Sequence, residues 1–240
     1  MKLIKYILFI IATQTCFLSC KREFNNVKTG PISGITVVNA VVNANPLIAD
    51  FSGADSVAAY YSTTQQIGYG SFLEYSIPSN NTPVVVYQIS DTNRALYKNI
   101  LNLEASAVYS LFLSGSDTTH IDTLITQDHP PYHSNSDSTA GIRFINLSSG
   151  GNPISMNIQG NPNGSEVSSL AYQSITSFKS YAVTQSTAQY IFEIRDVVSG
   201  DLLKALTYSV IPFQNVTIVV NGISGETGNK ALGAFIVNNF

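Results

Sequence analysis

The chain has 240 residues, of which only 11% are charged, and a formal net charge of −3. An average soluble domain carries roughly 25% charged residues, so this surface is built largely from neutral polar groups, and no basic stripe exists to hold a nucleic-acid backbone. Trp is absent while there are 13 Tyr and 12 Phe, an aromatic load that suits strands.

At the amino terminus Lys2 and Lys5 precede an apolar run from Tyr6 to Ala12, and the segment closes on Phe17-Leu18-Ser19-Cys20. A basic start, a short apolar stretch and a small residue before the cut is the order of a signal peptide. The apolar run falls well short of the roughly 20 residues of a spanning helix, and Thr13, Gln14 and Thr15 interrupt it. Ser19-Cys20 resembles the lipobox of bacterial lipoproteins, with Phe17 where an aliphatic residue is usual, a looser form tolerated in Bacteroidetes. The resemblance implies removal of residues 1–19 and acylation of Cys20. Cys16 leaves with the signal, so a mature chain has no disulfide and no cysteine metal site. Several acyl chains, each buried methylene contributing about 0.8 kcal/mol, make a stable anchor. Lys21 follows the cysteine where an Asp would favour the inner membrane. The expected location is therefore the cell envelope, lipid-anchored at the outer membrane, with the face left open.

Behind a polar tether, residues 20–32, the chain repeats itself. Gly34-Ile35-Thr36-Val37-Val38-Asn39 returns as Gly141-Ile142-Arg143-Phe144-Ile145-Asn146, about 107 positions later. Asn45-Pro46 answers Asn152-Pro153, Ser71-Phe72 answers Ser177-Phe178, Val86-Tyr87-Gln88-Ile89 answers Ile191-Phe192-Glu193-Ile194, and Leu113-Ser114-Gly115 answers Val220-Asn221-Gly222. Such order across many points marks an internal repeat, with copies at 33–127 and 141–240. In the second copy, alternation and β-branched content predict strands near 142–147, 154–159, 167–181, 188–195, 202–210, 214–221 and 231–237. Asn161-Pro162-Asn163-Gly164 and Ser199-Gly200-Asp201 supply the residues that tight reversals need. Seven antiparallel strands cannot bury themselves in one sheet, so the expected fold is all-β, two tandem immunoglobulin-like β-sandwich domains. Residues 128–140, with Pro130 and Pro131 followed by small polar residues, read as the linker.

The run Ile142-Arg143-Phe144-Ile145-Asn146, Pro153 to Gly160, Leu170-Ala171-Tyr172 leading to Phe178 and Tyr181, and Tyr190-Ile191-Phe192-Glu193-Ile194 resembles the family called domain of unknown function 4397. That resemblance implies repeated β-sandwich domains of secreted and envelope proteins, without established catalytic residues. The first copy departs by carrying Val41-Val42-Asn43-Ala44 where the family has a short polar turn.

Chemistry-bearing residues are few. His120 and Asp122 alternate onto one strand face, and His129 and His133 flank the two prolines, with Asp117, Asp128 and Asp137 nearby. This spacing matches no zinc motif, and a Ca²⁺ site from Asp128, Asn135 and Asp137 lacks the tight Gly turn, so the histidines read as solvated linker residues. Gly68-Tyr69-Gly70-Ser71 and Gly150-Gly151 fit neither a nucleophile elbow nor a phosphate loop, and Glu193, aligned with Gln88, makes an unconvincing glycosidase pair with Glu166. Tyr60, Tyr61, Tyr69, Tyr75, Tyr172 and Tyr181 could stack on sugars, but tyrosines also serve as ordinary strand residues. Asp followed by Ser or Thr resembles an O-glycosylation signal of Bacteroidetes, which makes Ser56, Thr118, Thr123 and Ser138 candidate acceptors. No cofactor is expected. The sequence therefore points to a non-enzymatic envelope lipoprotein for binding, adhesion or structural display, with a glycan or an envelope protein as partner. The alternatives are a glycan-binding accessory lipoprotein of a polysaccharide-uptake system and a hydrolase with an unrecognised site.

Overall fold

The computed structural model describes residues 30–44, 46–53, 65–134, 136–184 and 189–239. In the first half the strands are β1 (Ile32–Val41), β2 (Leu47–Asp50), β3 (Ser71–Pro78), β4 (Asn80–Gln88), β5 (Asp91–Leu103), β6 (Val108–Gly115) and β7 (Asp122–Asp128). In the second they are β8 (Thr139–Asn146), β9 (Ile154–Ile158), β10 (Val167–Leu170), β11 (Ser174–Ile175), β12 (Lys179–Ala182), β13 (Gln189–Asp196), β14 (Leu202–Ser209), β15 (Asn215–Asn221) and β16 (Gly233–Asn239). A single 3-10 turn at Gly228–Lys230 is the one helical element among the described residues. The fold is all-β.

In each half the first strand lies at the centre of one sheet, beside a long parallel partner, and a second sheet faces it. The first half has the order β3-β1-β6-β7 facing β2-β4-β5, and the second has β11-β8-β15-β16, with β12 also on β8, facing β10-β9-β13-β14. The central pair is parallel in both halves and in the same register, Gly34 opposite Val108 and Gly141 opposite Asn215. The segment expected as one strand over 167–181 is three short ones: β10 pairs with β9, the chain changes sheet through Gln173 with a left-handed φ of 58°, and β11 and β12 pair with β8 on either side of residues 176–178.

The repeated Asn of the shared motif has the same task twice. Asn39, fully buried, donates its amide to Ile67 O and accepts from Val41 N, and Asn146 does the same with Leu170 O and Ser148 N. A buried backbone group left unpaired costs about 1–3 kcal/mol, so this amide closes both sheets at the strand end. Gly115 ends β6 and Gly222 directly follows β15, at equivalent points of the repeat. A Cβ on them would lie 1.9 Å from His120 O and 2.3 Å from Ala231 O, and both have positive φ.

One alignment from sequence is corrected. Ile89 N–H donates to Pro46 O and Val197 N–H donates to Pro153 O, so Val86 corresponds to Ile194 rather than Ile191, and Glu193 corresponds to Val85 rather than Gln88. Strand side chains alternate with period two, so an odd shift in alignment exchanges core and outer faces.

Among the described residues, buried apolar side chains form three clusters. The first, between the sheets of the first half, contains Ile35, Val37, Leu111 and Leu113. The second, between the sheets of the second half, contains Ile142, Phe144, Phe192 and Ile218. The third joins the halves: Val38, Ala40 and Phe112 meet Ile145, Leu147, Val219 and Val237. Sheets β3-β1-β6-β7 and β11-β8-β15-β16 are therefore packed on both faces, which is why β1, β6, β8 and β15 are buried almost throughout. The contacting positions are equivalent ones in the repeat, so the joint has a quasi-twofold character, as in an isologous dimer.

The described residues of the segment read as a linker are mostly exposed or half-buried, but it is pinned at several points. Asp128 ends β7 and Thr139 starts β8, while the His133 side chain, 4% exposed, donates from Nε2 to Asn215 Oδ1 (3.0 Å) and shares a hydrogen bond at Nδ1 with Thr139 Oγ1 (3.2 Å). Pro131 O receives Asn215 Nδ2, so the proline turn lies against the start of β15.

Candidate binding cleft between the halves

On the interface face of β8, Arg143 enters the joint at the position held by Thr36 in β1. Its guanidinium pairs with Asp128 at 2.8 Å, both side chains at most 4% exposed. Arg143 Nε donates to Thr217 Oγ1 (2.7 Å), and Ser110 Oγ donates to Asp128 Oδ2 (2.6 Å). Thr217 in turn donates to Asn239 Oδ1 (2.6 Å). A buried ion pair needs such additional partners to offset desolvation. Burial pulls the guanidinium below its ordinary value, with Asp128 opposing.

The other edge of the same guanidinium faces outward, stacked 4.6 Å from the centroid of Phe178. There a cleft of about 230 Å³ opens between the halves. One wall is Thr126, Gln127 and His129, at and after the end of β7; the other is Ile175, Thr176, Ser177 and Phe178, between β11 and β12. Thr176 Oγ1 accepts from Phe144 N (3.0 Å), and Gln127 Nε2 donates to Glu104 (3.4 Å). Because Asp128 neutralises Arg143, the lining offers hydroxyls, an amide, an imidazole and one aromatic ring, but no uncompensated charge. Such a lining recognises a neutral polyhydroxylated ligand through hydrogen bonds and ring contact better than it recognises an ion.

The other sequence candidates are dispersed. Cys20, Ser56, Tyr60, Tyr61 and Asn135 lie outside the described residues. Thr118 sits half-buried in the turn after β6, Thr123 is exposed on β7, and Ser138 is exposed before β8 with its carbonyl taken by Val183 N. His120 caps the turn beside Asp117 (3.0 Å), whose carboxyl is held below its ordinary range first by the Thr119 hydroxyl and amide and then by His120. Asp122 accepts from Tyr172 instead of facing His120. His129 lines the cleft while His133 points to Asn215. Among the described residues no three His, Cys, Asp or Glu side chains are placed to hold a metal. Glu166 binds Lys179 (2.7 Å) and Tyr181 (2.6 Å) at the rim of the second core, whereas Glu193 faces outward with Asn157 (2.9 Å) and Arg195 (2.8 Å). The Arg195 hydrogen bond, then Asn157, lowers the Glu193 carboxyl. Each acid is thus committed to its own partners. Sequence reading missed Arg143 and Phe178 as cleft residues; the one signal was a charge inside the apolar motif Gly-Ile-Arg-Phe-Ile-Asn.

The stacked sheets define an all-β protein of the β-sandwich type with a polar cleft between its halves. No family model matches the chain, and no curated protein does. Among solved structures the chain is similar to the CBMbc module (family CBM26) of Eubacterium rectale Amy13K in complex with maltoheptaose, at 11% identity over 87% of this chain and 97% of that one, with a TM-score of 0.26. A likeness at that TM-score carries no inference about ligand, so function has to come from this chain's own residues.

Proposed function

We propose that this chain is a lipid-anchored protein of the cell envelope with a non-catalytic binding role, and that its ligand seat is the cleft between the halves. The observation that carries the reading is the composition of that cleft: Thr126, Gln127, Ser177 and Phe178 line it, and its one cation is neutralised from below by Asp128. A glycan fits this lining best, since hydroxyls and an amide can satisfy sugar hydroxyls while an aromatic ring meets the sugar's C–H face. Its size is that of one or two sugar rings rather than a long chain. The Ser19-Cys20 signal supports delivery to the envelope, where such ligands occur.

The test is an array of neutral and acidic oligosaccharides, followed by titration calorimetry on any hit. Neutral glycans should bind, and Phe178→Ala and Gln127→Ala should each weaken binding about tenfold, the loss of roughly 1.4 kcal/mol. An array with no hits, or hits unaffected by both substitutions, removes the glycan reading of this cleft.

A further inference from the structure

The direction of the strands brings one end of the molecule into view. Ser110, near the start of β6, approaches Arg143 in the middle of β8 (3.4 Å), whereas Ser114, near the end of β6, shares a hydrogen bond with Tyr172 (3.0 Å), which lies beside Asn146 at the end of β8. The central strands of both halves therefore run the same way, and the starts of β1, β6, β8 and β15 lie together. The chain enters the fold at this end, through Pro31.

That end is apolar. Tyr132 is 90% exposed, and Ile32, Ile211 and Phe213 are each about half exposed or more. Phe213 N–H donates to Thr139 O (2.9 Å) and Asn215 Nδ2 holds Pro131 O (3.1 Å), so both segments are fixed at the base of β8 and β15. Among the described residues, the ionisable groups nearest this end include Glu104, His129, His133 and Asp137. Asp137 accepts from Thr139 (2.7 Å) beside His133, and Glu104 accepts from Gln127. No Lys or Arg occurs between Lys98 and Arg143. Aromatic and aliphatic side chains with little charge are what settles at a membrane–water boundary.

We propose that this end, with Ile32, Tyr132, Ile211 and Phe213, seats on the lipid bilayer that holds the acylated Cys20. The proposal rests on the lipid-anchor reading above. Eleven residues, 20–30, separate the cysteine from Pro31, a reach of at most roughly 40 Å when fully extended, so the base is the part of the fold held nearest the bilayer. Seating is apolar and weakly dependent on salt.

The chain contains no Trp, so single-Trp variants report without background. Lipidated full-length protein carrying Phe213→Trp, or Tyr132→Trp where packing is to be left undisturbed, is reconstituted in phosphatidylcholine vesicles with brominated acyl chains. Val198→Trp is the control, being exposed in the turn held by Val197 N and Pro153 O at the opposite end. Both base probes should be quenched at least twofold more than the control, in low and high salt alike. Equal quenching in protein that floats with the vesicles overturns the docked orientation and leaves the anchor standing. Protein that carries no acyl label and does not float overturns the anchor reading, and the docking with it.

Discussion

Arg143 and Asp128 carry the asymmetry of an otherwise symmetric joint. By strand register Arg143 stands where the first half has Thr36, and Asp128, opposite Val108, stands where the second half has Asn239, opposite Asn215. A pairing of two second halves would place Arg143 opposite Asn, with no carboxylate to receive it. The pair therefore favours first-on-second packing over either half on itself. Breaking a buried pair from one side costs about 3–5 kcal/mol because a charge is left buried and unpaired. Asp128→Asn should lower stability by that amount, and Arg143→Thr added to it, which makes both halves carry Thr and Asn, should recover much of the loss. Urea unfolding midpoints check this; a change below about 1 kcal/mol for Asp128→Asn would show the charge to be solvated.

At the scale of elements, a second polar tie across the joint, beside the Arg143–Asp128 pair, is Tyr172, in the turn before β11. It donates to Asp122 at the start of β7 (2.9 Å) and shares a hydrogen bond with Ser114 on β6. Burial pushes its phenol up to about 12, with Ser114 opposing and Asp122 adding to the rise. The ordinary value in an unfolded chain is about 10. A raised folded value means that the contribution is fully present below pH 10 and lost as pH climbs through 12. The stability difference between the protein and its Tyr172→Phe variant should therefore be constant up to pH 10 and shrink between pH 10 and 12. Denaturation midpoints measured across that range would contradict the assignment if the difference stayed flat. The strands themselves were largely legible: the expected 154–159, 188–195 and 202–210 differ from β9, β13 and β14 by one residue at the ends. The alignment of β4 with β13 was not, because adjacent β-branched residues there let the pattern slip without changing its hydropathy.

For the whole molecule, the third cluster decides how unfolding proceeds. Phe112, Ile145, Leu147 and Val219 are buried only because both halves are present, and truncating one buried aliphatic residue typically costs about 2–5 kcal/mol. Opening one half alone would expose all of them and strand Arg143. The full chain should therefore unfold in one transition, with far-ultraviolet and tyrosine near-ultraviolet dichroism coinciding. Two separated transitions would show the halves to be independent.

The repeat, the all-β class, most strand positions and the recurring Asn of β1 and β8 are legible in the sequence alone, because they follow from local periodicity and from residues that recur at fixed spacing. Ile35 through Val42 and Ile142 through Leu147 also carry apolar residues at both parities, the mark of a strand covered on both faces. What covers a strand cannot be read from its own residues. The joint, the pairing of Arg143 with an Asp read as linker, the burial of His133 and the cleft beside Phe178 arise from side chains distant in sequence. Only the packing of one sheet on another brought them within reach, since an ion pair or a cleft is defined by distances across the fold and not by spacing along the chain.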